Sequence, residues 1–157
     1  MTLRITVNIL EVEQYLDALG DDAKAAARPA AQAAAQVFYD AVQRNVAGIG
    51  KKTGNLASSI YQAYSKSNSN RQTGMAIYAI SWNSKKAPHA HLVEHGYIQK
   101  FKVYMGKDGV WYTNKQAPLA QPRQVGARPF IRPALAKRED AMLAAEDVYI
   151  KALLKRG

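Results

Sequence analysis

The chain has 157 residues, enough for one domain that buries roughly 70% of the surface its unfolded form exposes, so no disulfide framework is required. It contains no cysteine, which excludes disulfides, zinc thiolate sites and cysteine nucleophiles. The formal net charge is +10, and residues 97–138 carry nine basic side chains against one acid, Asp108; this field suits a polyanionic neighbour, nucleic acid or an acidic protein surface, and equally a solvated basic surface.

No apolar run approaches the roughly 20 residues that span a bilayer. Arg4 and Asn8 interrupt the N-terminal apolar stretch, so the chain is expected to begin near Met1, to fold in a cytoplasm and to make no use of a membrane. Leu3, Ile5, Val7 and Ile9 alternate with polar residues and predict an opening strand. Val12, Leu16 and Leu19 fall at helical spacing; Gly20 should stop that helix, and Asp21 or Asp22 should cap the next. From residue 23 to 46 the chain is alanine-rich, with a stripe through Ala30, Ala34, Val37, Phe38, Ala41 and Val42; at Pro29 the helix is expected either to kink, the favoured reading, or to begin near Arg28 with the proline in its first turn. So small a stripe lets the helix lie close to a sheet. Gly48, Gly50 and Gly54 then punctuate a basic loop holding Lys51 and Lys52.

Residues 60–65 and 75–83 are rich in aromatic and β-branched side chains and predict two strands joined by the polar stretch 66–74. A helical turn is expected over residues 90–95. A second hairpin is expected from residues 97–104 and 110–113, with Gly106-Lys107-Asp108-Gly109 as its turn. Residues 114–126 show no period. Leu135, Met142, Ala145, Tyr149 and Leu153 mark the apolar stripe of a final helix.

Two constellations could carry chemistry, and two others fail on spacing. His91-Leu92-Val93-Glu94-His95 matches the H-x-x-E-H pattern of inverted zinc peptidases: His91 and His95 share a helical face, and Glu94 could activate a zinc-bound water. No later acid is singled out as the third ligand, and Gly96 ends the turn at once. The favoured reading is structural, with Leu92 and Val93 packing while Glu94 accepts hydrogen bonds from backbone or basic neighbours. Ser58 and Ser59 lie in no nucleophile elbow, and Gly48-Ile49-Gly50-Lys51 lacks phosphate-loop spacing. Trp82, Trp111 and the tyrosines interleaved with Lys100 and Lys102 could stack on single-stranded nucleic acid. The favoured alternative is a sheet with Ile98, Tyr104 and the lysine stems on one face and Phe101 and Val103 buried on the other.

Two segments read together with Val93-Glu94-His95-Gly96: Thr53-Gly54-Asn55-Leu56-Ala57-Ser58-Ser59-Ile60, and Ala127-Arg128-Pro129-Phe130-Ile131-Arg132-Pro133-Ala134. In this order they resemble the neck and tail-completion family of tailed bacteriophages, from about Ala30 to the end of the chain. The resemblance implies a single α+β domain over 1–157, an antiparallel sheet packed by a long N-terminal helix and a C-terminal helix, with an extra β-hairpin. It implies no catalysis, cofactor or metal. It further implies a structural virion protein at the neck or tail end, assembled in host cytoplasm, forming a homo-oligomeric ring against neck, tail-terminator or tail-tube proteins, with non-specific contact to packaged DNA. A basic nucleic-acid-binding module is the runner-up, and a zinc hydrolase built on His91, Glu94 and His95 the third reading.

The residues divide by role. Thr53 suits a helix N-cap, Gly54 eases a tight lead-in, and Leu56 and Ile60 share a face; with Glu94, Gly96, Pro129, Phe130 and Pro133 they are expected to define the fold. Pro129 and Pro133 stiffen the lead into the last helix, with Pro133 in its first turn. Arg128 and Arg132 are candidates for partner binding, with Lys100, Lys102, Lys107 and Arg123 of the basic hairpin. The two arginines are as well suited to carboxylates of an adjoining subunit as to Glu94 or an acid of the last helix.

Overall fold

The computed structural model describes residues 9–50 and 54–155, with side chains from residue 14 onward. The opening strand lies outside the described residues apart from Ile9, which begins helix α1 (Ile9–Ile49). Gly20 does not stop this helix. A glycine in a helix interior costs only about 1 kcal/mol, and a stop also needs left-handed backbone, which Gly20 does not adopt. Pro29 lies inside α1 rather than at a helix start; both it and Ala25, whose carbonyl it cannot reach with an N–H, are exposed, leaving that acceptor to solvent. The expected stripe is the one that packs: Ala30, Ala41 and Val42 are buried, and Ala34, Val37 and Phe38 are partly so.

The structure is α+β, with helix α2 (Asn55–Ser59), strand β1 (Ile60–Tyr64), strand β2 (Tyr78–Trp82), helix α3 (Ala90–His95), strands β3 (Tyr97–Met105) and β4 (Trp111–Val125), and helix α4 (Arg138–Leu154). The strands form two antiparallel two-stranded sheets, β1 with β2 and β3 with β4, rather than one. No helix among the described residues is long and apolar enough to cross a membrane.

The chain divides into two compact units. The first takes in α1 up to Ala41, residues 60–81 and the C-terminal residues from Ala134. Here the β1–β2 sheet lies on α1: the Arg28 guanidinium sits 4.4 Å from the centroid of the Tyr64 ring, and the Tyr78 hydroxyl donates to Gln32 Oε1 at 3.3 Å. Tyr64 and Tyr78 touch across the strands. The strand expected from residue 75 begins only at Tyr78, because Asn70 draws Met75 into an isolated bridge and the Ser69 hydroxyl takes the Ile77 N–H.

α4, in the first unit, follows a 3-10 turn, Arg132–Lys137, whose Pro133 occupies its second position. Leu135 and Met142, placed on the core stripe by their spacing, are exposed instead. The 3-10 turn winds at about 3.0 residues per turn and shifts Leu135 out of phase with α4. Beyond it α4 is apolar on two sides: Ala141 is buried, and Ala145, Tyr149 and Leu153 of the expected stripe are partly covered together with Val148 and Ala152.

The second unit contains the end of α1 from Val42, α2, residues 82–133 and hence α3 and the β3–β4 ribbon. The turn at residues 106–109 forms as expected: Gly106 N–H reaches the Val110 carbonyl at 2.8 Å, Gly109 adopts φ 74°, and Asp108 accepts from Val110 N–H and the Tyr112 hydroxyl. β4, however, runs to Val125, through residues with no hydrophobic period. Pairing with β3 imposes it. Residues 99–102 of β3 span residues 114–123 of β4, with register shifts on both sides of Phe101, and Pro118 sits at this irregularity, where a missing N–H breaks no regular ladder. Of the face expected to be buried, Phe101 is partly covered and Val103 is exposed, so the ribbon is open toward its turn.

Candidate functional site

The most heavily bonded side chain in the second unit is Glu94, which is only 3% exposed. It lies on the last turn of α3, a helix started by bonds from Leu92 and Val93 N–H to the His89 carbonyl. Gly96 closes the helix: its N–H returns to the Leu92 carbonyl at 2.8 Å, and its backbone, φ 72° and ψ 171°, is open in practice to glycine alone. A β-carbon here would lie 2.7 Å from the Val125 carbonyl oxygen and 2.8 Å from Ala127 N, both backbone atoms. Gly96→Ala is therefore expected to lower stability by about 2–3 kcal/mol, read as a lower urea midpoint; an unchanged midpoint would refute the close approach.

From this position the carboxylate reaches the Arg-Pro-Phe segment. Oε2 accepts the N–H groups of Phe130 at 2.7 Å and Ile131 at 3.0 Å; Oε1 accepts Arg132 N–H at 3.2 Å and Arg132 Nε at 3.3 Å. Arg132 Nη2 also donates to the Glu94 carbonyl at 3.0 Å. Arg128 N–H meets the Val93 carbonyl at 2.8 Å. The backbone donors of residues 128–133 are thus accounted for one by one, since Pro129 and Pro133, which have none, fall where no acceptor is aimed. Three successive N–H groups ahead of a 3-10 turn are donors without an internal partner, and one carboxylate satisfies them all.

The electrostatics follow. Burial pushes the Glu94 carboxyl upward, but the N–H groups of Phe130, Ile131 and Arg132 and the Arg132 guanidinium outweigh it and hold the group below the ordinary glutamate value. Phe130, with no exposed surface, anchors the clamped segment: its ring meets Trp82 edge-on at 6.0 Å and 70°, and its carbonyl accepts Asn45 Nδ2 at 2.9 Å. Asn45 and this role of Trp82 were not legible beforehand. The available hint was a polar residue set between the buried Val42 and Val46 of α1.

The other candidate residues are placed as follows. Thr53 lies outside the described residues. Gly54, at φ 76°, supplies the carbonyl that accepts Ser58 N–H, which makes it the flanking residue of α2. Leu56 is on α2, but Ile60 opens β1 and does not share its helix: the Ser59 hydroxyl bonds back to the Leu56 carbonyl at 2.7 Å as the helix ends. Gln43 ties α2 to α1 through the Ala57 carbonyl. Arg132 is engaged with Glu94, the intrachain alternative, while the Arg128 side chain is exposed. Lys100, Lys102, Lys107 and Arg123 are exposed along the ribbon. His91 and His95 are exposed, and Glu94, needed as the base of a zinc site, is turned into the clamp; among the described residues no group of three His, Asp or Glu side chains is arranged to hold a metal.

The densest polar cluster found in the second unit thus holds the chain's own backbone in place. A family model described as "Bacteriophage HK97-gp10, putative tail-component" matches residues 11–96, more than half of the chain, and the chain belongs to this HK97-gp10-like family. It is a bacteriophage tail component, a constituent of the virion. The match takes in Glu94 and Gly96 but ends before the Arg-Pro-Phe segment they hold. No curated protein and no solved structure matches the chain.

Proposed function

We propose that this tail component is a single-domain assembly protein that forms a homo-oligomeric ring at the neck or tail end, completing the tail and joining it to the head. The family match over residues 11–96 carries the reading. The large apolar side chains left open on α4 and on the ribbon support it, since extended exposed apolar surface marks association sites. Catalysis and cofactors have no part in this function. Arg128, Lys100, Lys102, Lys107 and Arg123 supply contacts to neck, tail-terminator or tail-tube proteins and non-specific attraction to packaged DNA. Assembly takes place in the host cytoplasm.

Light scattering on the purified chain, alone and mixed with its neighbouring tail and neck proteins, is expected to show a closed oligomer. A chain that stays monomeric in every mixture overturns the ring. The basic ribbon with exposed Trp111 favours a second reading, nucleic-acid binding. A titration against duplex and single strands at rising salt separates the two: binding that collapses with salt and shows no preference is background attraction to phosphate.

A further inference from the structure

Two exposed surfaces are left over by folding, and their chemistry is complementary. The first is the distal ribbon. Its register places Tyr104 opposite Tyr112 on one face, and Val103 opposite Thr113 and Met105 opposite Trp111 on the other. Both faces are open, with Met105 57% and Trp111 51% exposed. An isolated two-stranded ribbon is marginal in water, and apolar side chains on both of its faces contribute little until something covers them. Lys100, Lys102 and Lys107 give it positive charge. Its one acid, Asp108, is occupied within the turn by the Tyr112 hydroxyl at 2.6 Å and Val110 N–H.

The second surface is α4. Leu143, Ile150 and Leu154, spaced along one face of this helix, are 64%, 45% and 69% exposed. Glu139 and Glu146 share that face and form no ion pair among the described residues, whereas Asp140 and Asp147 are paired with Lys137 and Lys151. The open face is therefore apolar and acidic.

We propose that the ribbon of one copy docks along the exposed face of α4 in a second copy, with Trp111, Met105 and Val103 against Leu143 and Ile150, and Lys107 of the adjoining turn against Glu139 or Glu146. This rests on the ring reading and specifies its subunit contact. Pairing α4 with α4 would set two acid-bearing faces together, and pairing ribbon with ribbon would do the same for lysines; the mixed contact avoids both repulsions. Because the two surfaces differ, every copy offers one of each, the head-to-tail arrangement that closes into rings.

The absence of native cysteine allows a direct test. Met105→Cys and Leu143→Cys proteins, each checked for native circular dichroism, are mixed under mild oxidation, with Ser84→Cys, at an exposed loop position, as the control partner. The expected product is a disulfide-linked dimer of the ribbon and helix variants, with neither variant linking to the control. Faster linking of Leu143→Cys to itself assigns α4 to a symmetric contact and overturns the proposal. Light scattering on the unsubstituted chain is run in parallel. Rings without the ribbon-to-helix link overturn the docking and leave the ring reading standing; a monomer that gives no link removes both.

Discussion

Glu94→Ala is expected to destabilise the protein by about 3–5 kcal/mol, seen as a large fall in the urea midpoint. The substitution leaves the N–H groups of Phe130, Ile131 and Arg132 without their acceptor in a site closed to water. The Arg132 guanidinium is the lesser part of the loss, because its side chain is 59% exposed and solvent screens the pair. Glu94→Gln separates bonding from packing. It keeps the shape of the side chain but turns an NH2 group toward one of the two donor pairs, so it should also lose much of the stability; a Gln variant as stable as the original would show that the carboxylate is a space-filler.

The same variants carry a pH signature whose sign is determined by the depressed carboxyl. An unfolded glutamate ionises near ~4.3, and in the folded protein the backbone N–H groups and Arg132 hold Glu94 below its ordinary value. The clamp therefore contributes fully above the unfolded value and is lost as the pH falls through the lower folded one. The stability gap between the unsubstituted protein and Glu94→Gln should shrink on acidification through that range. A gap that stays constant down to acid unfolding would contradict the assignment.

The second large effect is expected at Phe130. Phe130→Ala should cost about 3–5 kcal/mol, since the ring is fully buried and its loss opens a cavity beside Trp82. Trp82 emission should shift to the red as water reaches the indole. A loss below about 1 kcal/mol would mean that the site collapses around the smaller side chain and that the ring is not the anchor. Phe130 and Glu94 hold the same short segment, so the double variant should lose less than the two single losses added together.

Much of this organisation is local, and there the reading from sequence matches the structure. The bounds of α3, the turn at residues 106–109 and the start of β1 all follow from glycine placement and residue type within a few positions. The hydrogen-bond-accepting role read for Glu94 is the one the clamp displays. The departures are equally physical. Gly20 is a helix stop only where the backbone turns left-handed. β4 exceeds its expected length because a partner strand supplies hydrogen bonds that polar residues with two prolines do not signal. Leu135 departs from the expected stripe because the 3-10 turn puts it out of phase with α4, and Met142 because a helix apolar on two sides gives no unique inner face.

Sequence alone therefore determined the absence of thiol chemistry, the basic middle of the chain and the stiff Arg-Pro frame, each a property of composition or of a few adjacent residues, while the α+β class came from the family resemblance. Tertiary structure decided which acceptor meets that frame: Glu94 stands 36 residues before Phe130, and no local period encodes so distant a pairing. It also decided which side of α4 is buried and that both faces of the ribbon stay open. Burial depends on what lies across from a surface, and a residue pattern describes only the surface itself.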